Sequence, residues 1–259
     1  MKILLTNDDG YYAKGLWALA RELAKSAEVK IVAPERQRSA ISHAVTLHKP
    51  LRLRREKPLE EKNIEVYHSN GTPADCAMLG LLEVLPDADL LISGINSGPN
   101  LGEDILYSGT VAAAMEAALL GKPAAAVSIA EYDFDEFDLA AHFTAAIAPQ
   151  IIEQNLPPKT ILNINVPPVR KDECRGFRVT ALGTRRYEDV LHKRTDPRGN
   201  AYFWITGTLI RESSPSDATD YSAIQNGFIS ITPITLDMTN SELLTKLAFH
   251  EVWGVDNSQ

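Results

Sequence analysis

Two carboxylates, Asp8 and Asp9, stand side by side directly after a short apolar run, Lys2–Thr6, and directly before Gly10. Adjacent carboxylates repel, and both stay ionised most easily when a cation lies between them or water solvates them freely. Asn, Asp and Gly are also turn formers, so Asn7-Asp8-Asp9-Gly10 taken alone reads first as an ordinary turn. Two more oxygen-bearing side chains occupy comparable places. Ser39 lies in the polar loop after Glu28–Ala33, and Asn96 comes just after Asp89–Ser93. Carboxylate, hydroxyl and amide oxygens together suit a hard cation such as Mg²⁺ or Mn²⁺ rather than zinc. Ser39 can be a ligand, a helix cap or a loop serine, and residue type alone favours the loop serine.

A second chemistry is written at Ser108-Gly109-Thr110, directly before the alanine-rich stretch Val111–Leu120, which Gly121 ends. Small residues at a helix start let a ligand approach free backbone N–H groups, and those groups with the helix dipole favour an anion, phosphate above all. The plainer reading is a helix cap at Ser108 or Thr110 with Gly109 for flexibility. The loop is neither a Walker P-loop nor a dinucleotide fingerprint. Its length is more telling: from Gly94 to the helix it is rich in Gly, Asn and Ser, and structureless loops of about 12 or more residues in compact domains are usually functional or disordered. A cation beside a phosphate cradle points to phosphoryl chemistry.

These residues need a frame that carries them to one rim. Lys2–Thr6 reads as a buried strand and Gly15–Ala27 as a helix, with Leu16, Leu19, Ala20 and Leu23 on one face. Glu28–Ala33 is a second strand stopped by Pro34. Leu51–Arg55 alternates as a half-exposed strand whose arginines form a solvated face, and Asn63–His68 is another strand. Thr72, Pro73 and Asp75 have the spacing of a capping box with proline at the first helical position, opening a helix to about Val84. Asp89–Ser93, Pro123–Ile129 and Thr160–Val166 read as strands, Leu139–Gln154 as a helix, and Asp133–Asp138 as a solvent-facing acidic loop. Strand and helix alternate to about residue 166, the signature of βαβ units on a mainly parallel sheet. Ligands bind beyond the carboxyl ends of such strands. After Pro167-Pro168, strands at Phe177–Leu182, Tyr202–Leu209 and Gly227–Ile231 follow one another without long helices, with turn-rich stretches at 193–200 and 213–220. The expected organisation is a core over 1–168, a β-hairpin appendage over 169–239, and a closing helix, Ser241–Phe249, with a tail to 259.

The totals set bounds. The chain has 259 residues, 44% hydrophobic and 23% charged, as a globular protein does. A formal charge of −8 argues against non-specific binding to nucleic acid or to acidic membranes. Cys76 and Cys174 lack metal-type spacing and read as reduced thiols. Neither a signal peptide nor a membrane-length apolar stretch is visible, so the expected location is the cytoplasm.

With these residues assembled, the sequence resembles the SurE survival proteins, metal-dependent phosphatases acting on nucleoside 5′-monophosphates. The phrases ILLTNDDG at 3–10, VAPERQRSA at 32–40, NGTPADC at 70–76, SGINSGPNLGEDILYSGTVAAAMEA at 93–117 and NGFISITPI at 226–234 carry the likeness, in the family's order. The resemblance implies that Asp8, Asp9, Ser39 and Asn96 hold one divalent metal, Mg²⁺ or Mn²⁺. It implies that Asn100, Ser108, Gly109 and Thr110 surround the phosphate. It also implies a Rossmann-like three-layer α/β/α core whose β arms mediate homodimers or homotetramers. Ala40 stands where the family's loop has glycine. The mechanism that follows is phosphomonoester hydrolysis by a metal-activated water, with Asp8 and Asp9 as the catalytic pair and Asp8 orienting or deprotonating the water. Short polyphosphate and 3′-nucleotides are further candidate substrates. A covalent aspartyl-phosphate route fits less well, because the acids are adjacent rather than spaced Asp-x-Asp. A non-catalytic nucleotide-binding or sensor protein is the alternative reading, and a structural oligomer whose rim is only turns and caps is a third.

Overall fold

The first strand, β1 (Lys2–Thr6), is buried from Ile3 onward. Its side chains alternate between the two faces of the sheet: Ile3 and Leu5 enter one core, Leu4 the other. This is the reason a nearly continuous apolar run forms a strand rather than an amphipathic helix. The computed structural model describes residues 1–56, 64–184, 186–210, 218–244 and 246–247.

From β1 the chain passes through α1 (Lys14–Leu23), β2 (Glu28–Pro34), the short edge strand β3 (Leu53–Arg55) and β4 (Ile64–Ser69). Then come α2 (Pro73–Leu79), which runs into a π-helical turn at Gly80–Val84, and β5 (Leu90–Ser97). A 3₁₀ turn at Gly102–Leu106 leads into α3 (Gly109–Leu119), followed by β6 (Ala124–Ile129), α4 (Asp138–Glu153) and β7 (Thr160–Val166). The remaining elements are β8 (Phe177–Val179), β9 (Arg186–Thr195), β10 (Ala201–Ile210), α5 (Asp220–Gln225), β11 (Ile229–Thr235) and α6 (Ser241–Leu244). The last part of the expected closing helix and the tail, at 245 and 248–259, lie outside the described residues, as do residues 213–217 of the turn-rich stretch and Asn63 of the fourth strand.

A nine-stranded sheet has the order β3-β4-β2-β1-β5-β6-β7-β11-β8. From β4 to β7 every neighbouring pair is parallel. The exceptions are β3, antiparallel to β4, and β11, antiparallel to β7. Helices α1 and α4 cover one face over a core containing Leu16, Leu23, Ile92 and Ile151, while α2 and α3 cover the other over Val32, Leu91 and Val111. The fold is therefore the three-layer α/β/α arrangement expected.

The structure differs from the sequence reading in three places. Of the strands after residue 168, β8 and β11 join the main sheet, and only β9 and β10 form a separate two-stranded antiparallel sheet. Local sequence carries strand propensity but not long-range pairing, which decides membership of a sheet. Pro233 is tolerated within β11 because it lies past Ile231, the last residue paired with β8. Next, β9 runs to Thr195, so the turn between the arms is confined to Asp196–Asn200, where Asp196 Oδ1 accepts the N–H groups of Arg198 and Asn200 at 2.8 and 2.9 Å. Finally, the acidic loop before α4 faces solvent only with its acids: Phe137 is buried and Phe134 packs against the α1/α4 core. No helix among the described residues is long and apolar enough to cross a membrane.

Candidate active site

From β1 the sheet grows outward to β2 and β4 on one side, and through β5 to β6 and β7 on the other. The connections after β1 and β5 thus leave in opposite directions and open a crevice at their carboxyl ends, where open α/β sheets bind ligands. Asp8 and Asp9 follow β1, and Asn96 lies at the end of β5. The turn reading of Asn7–Gly10 holds, and it leaves room for the site reading. The Asn7 side-chain amide donates to the Gly10 carbonyl at 2.9 Å while its oxygen accepts the Gly10 N–H at 3.1 Å. Gly10 has φ of 98°, a conformation that glycine adopts without strain. The turn holds the two carboxylates at the rim.

Asp8 is only 6% exposed. The Thr110 hydroxyl donates to its Oδ1 at 2.6 Å. Burial is the largest influence on its carboxyl and raises its pKa from 3.8 to about 6, against the opposing pull of the Thr110 hydroxyl and with a further upward push from the Asp9 charge. Asp9 is also raised by burial, opposed by the Ser97 N–H, which donates to its Oδ2 at 3.2 Å, and by the Gln37 amide at 3.3 Å from Oδ1.

The loop after β5 is shorter than its composition suggests. β5 continues to Ser97, with a register shift against β6 between Ser93 and Asn96 and a cis Gly94–Ile95 peptide. Glycine at 94 fits the φ of 135° there. Asn96 therefore sits on the last turn of pleat rather than in a loop, its amide donating to the Gly98 carbonyl at 2.8 Å. That leaves the Asn96 oxygen as the ligand-type atom.

Ser39 is exposed and is carried by an irregular strap between β2 and β3. The strap is tied down along its length. The Arg38 N–H donates to the Asp8 carbonyl at 2.7 Å, the Ser42 N–H to Tyr107 at 2.9 Å and the Ser42 hydroxyl to Leu106 at 2.6 Å. His43 Nε2 lies 2.8 Å from Glu116 Oε2 on α3, and the Thr72 hydroxyl donates to the Ala44 carbonyl at 2.7 Å. Ala40 has φ of 52°. That left-handed backbone is the physical reason a glycine suits this position, and alanine accepts it at a cost of roughly 1–2 kcal/mol.

At the start of α3, Ser108 is the cap: its Oγ accepts the Val111 N–H at 3.1 Å. Thr110 is fully buried and turns its hydroxyl to Asp8. Gly109 lies so close that an added Cβ would stand 2.9 Å from Asp8 Cβ and 3.0 Å from Pro73 Cγ. The positive end of α3 thus faces Asp8 first. Asn100 is held by a buried network that the sequence reading missed. Its N–H donates to Asn165 Oδ1 at 2.9 Å, its side-chain amide to Ser128 Oγ at 2.8 Å, and its carbonyl accepts from Asn163 and Asn165 at 2.8 and 2.9 Å. The signal was present: two asparagines at i and i+2 in the apolar strand TILNINV can only be buried if they are hydrogen-bonded.

Asp8, Asp9, Ser39, Asn96, Asn100 and Ser108 all line one cavity of about 300 Å³. Gly109 and Thr110 stand behind it, against Asp8. Among the described residues no group of three or more His, Cys, Asp or Glu side chains is placed to hold a metal. A cation here would rest on two carboxylates completed by hydroxyl and amide oxygens, a donor set that suits Mg²⁺ or Mn²⁺. Two carboxylates whose burial disfavours their charge are what a bound cation would relieve, so the residues fit such an ion.

Comparison with known proteins gives a consistent result. Residues 3–189 match the model of a family described as survival protein SurE. The chain is 46% identical over 255 residues to the 5′-nucleotidase SurE of Natranaerobius thermophilus, covering 96% of this chain and 98% of that one. It is 48% identical over 258 residues to the 5′-nucleotidase SurE of Caldanaerobacter subterraneus subsp. tengcongensis, covering 98% of each. The fold superposes on the crystal structure of a SurE protein from Aquifex aeolicus with a TM-score of 0.81 at 38% identity, over 95% of this chain and 98% of that one.

Proposed function

This chain belongs to the survival protein SurE family, and from that premise we propose that it hydrolyses nucleoside 5′-monophosphates to nucleoside and phosphate in a reaction that depends on one divalent cation, Mg²⁺ or Mn²⁺. It is a 5′-nucleotidase, as its relatives are named. The observation that carries the reading is the convergence of oxygen donors from β1, the strap, β5 and the start of α3 on one cavity at the switch point of the sheet.

In this reading Asp8, Asp9, Ser39 and Asn96 hold the cation, and Asn100, Ser108, Gly109 and Thr110 border the phosphate. When bound, the cation supplies charge neutralisation at the phosphoryl group and lowers the pKa of its water. Asp8 orients the attacking water and accepts its proton at a carboxylate oxygen, while Thr110 fixes the Asp8 rotamer through the 2.6 Å hydrogen bond. Asp9 is steered by the Ser97 N–H and Gln37. The dipole of α3 favours the negative charge gathered there. The same phosphoryl-binding end extends the reading to 3′-nucleotides and short polyphosphate.

Phosphate release from a panel of 5′- and 3′-nucleotides and polyphosphate tests this. Release from 5′-monophosphates is expected to stop with a chelator and return with Mn²⁺ or Mg²⁺. Release that a chelator leaves unchanged would remove the cation from the account, and no release at all would leave only nucleotide binding.

A further inference from the structure

The cavity that holds the phosphoryl chemistry does not end at its oxygen donors. Its mouth carries two tyrosines, Tyr107 and Tyr132, which are 66% and 67% exposed. A single residue links one of them to the carboxylates. Ser97 gives its N–H to Asp9 Oδ2 at 3.2 Å and its hydroxyl to the Tyr132 carbonyl at 3.1 Å. The Tyr132 ring also has a seat made for it. A Cβ at Gly98 would land on the ring, 2.6 Å from Cδ1 and 3.1 Å from Cζ. Gly98 has φ of 121°, so a side chain there would be both strained and obstructed. One part of the ring is thus laid against backbone while two-thirds of the residue stays open to solvent beside the cavity. An aromatic side chain fixed in place, exposed, and next to an anion site offers a ready face for another ring to stack on.

Resting on the nucleotidase reading above, we propose that Tyr132 is the platform on which the nucleobase of the substrate stacks, and so a specificity residue of this site. Stacking reads the face of a base rather than its edge, so the platform takes purines and pyrimidines alike and favours nucleotides over phosphate esters without a base. Burial of a base against the ring leaves the phosphate free to reach the Asp8–Asp9 end.

The test compares the parent protein with Tyr132→Ala and Tyr132→Phe, using adenosine and cytidine 5′-monophosphates as substrates and inorganic phosphate as a base-free competitive inhibitor, with the metal present throughout. Tyr132→Ala is expected to lower kcat/KM on both nucleotides by about tenfold to a hundredfold, mainly through KM, with the inhibition constant of phosphate unchanged. Tyr132→Phe is expected to retain parental values, because the ring and not the hydroxyl makes the platform. Tyr132→Ala that keeps parental kcat/KM on both nucleotides overturns the proposal. So does a loss matched by an equal weakening of phosphate inhibition, which would mean the whole cavity had been disturbed. A parent protein that binds phosphate but hydrolyses neither nucleotide would instead overturn the nucleotidase reading, and the platform with it.

Discussion

At the scale of single residues, the tension lies at Asp8. A carboxylate there is useful because it is charged, and its burial makes that charge costly. Its folded-state pKa of about 6 lies above the ordinary 3.8, so the native state holds the proton more tightly than the unfolded chain does. Stability from this group is therefore intact below the ordinary value and is lost as pH rises through the folded value. The loss amounts to on the order of 3 kcal/mol at neutral pH, and Asp9 is shifted in the same direction. Asp8→Asn keeps an acceptor for the Thr110 hydroxyl. In the metal-free protein, thermal melts should show the variant more stable than the parent at about pH 8 and level with it near about pH 4, while its turnover nearly vanishes. A variant less stable than the parent at both pH values would mean that Asp8 is not held against its charge. The place of Asp8 and Asp9 on the rim of a cavity was legible from their position directly after β1. The turn reading does not compete with a site there, since Asn7 builds the turn and leaves both aspartate side chains on the cavity wall. Gln37 and the Ser97 N–H were not found, because hydrogen bonds from backbone or across strands leave little trace in residue type; the asparagine pair at 163 and 165 did leave one, as two polar residues inside an apolar strand.

At the scale of elements, the start of α3 decides how close the helix comes to β1. Thr72, Pro73 and Asp75 have the spacing of a capping box, and the box is present, with the Thr72 hydroxyl accepting the Asp75 N–H at 3.1 Å and Asp75 Oδ2 accepting the Thr72 N–H at 2.9 Å. The cap brings Pro73 against Gly109, which in turn touches Asp8. Gly109→Ala adds a methyl group where Asp8 Oδ2 is 3.1 Å away. Helix propensity gains from the change while crowding against Asp8 and Pro73 costs about 1–3 kcal/mol, so circular dichroism should keep its helical signal and the melting temperature should fall. Turnover should fall by about a hundredfold, the scale associated with displacing a catalytic group by an ångström. Parental turnover in Gly109→Ala would show that the Asp8 position is not critical. The cap was legible because it is a local pattern. The extension of β5 through Gly94 to Ser97 was not, since glycine, asparagine and serine read as loop until β6 supplies pairing for them.

At the scale of the whole molecule, alternating strand and helix sufficed for the parallel core, but not for its order, since the chain crosses from β4 over β2 and β1 to reach β5. Which late strands join that sheet depends on pairings across more than 60 residues, such as Ser230 with Asn165, and local pattern is silent on those. The hairpin of β9 and β10 stands outside the sheet and exposes Trp204 at 61% and Ile205 at 81%, with Phe203 and Leu191 also solvent-facing. Exposed apolar side chains on both faces of a two-stranded arm suit an association surface, and we propose that copies of this chain meet there as a homodimer or homotetramer. Light scattering of the parent should give a dimer or tetramer mass, and the double substitution Trp204→Glu with Ile205→Glu should lower it. A parent that is monomeric at micromolar concentration would contradict the proposal.

The account as a whole rests on one ion between the rim of β1 and the end of β5. Anomalous diffraction from crystals of the parent protein grown with Mn²⁺ locates it directly. The expected result is a single strong peak about 2.0–2.6 Å from carboxylate oxygens of Asp8 and Asp9, with Ser39 and Asn96 within the same coordination shell. A map with no peak at that rim, or with its peak elsewhere in the molecule, would contradict it.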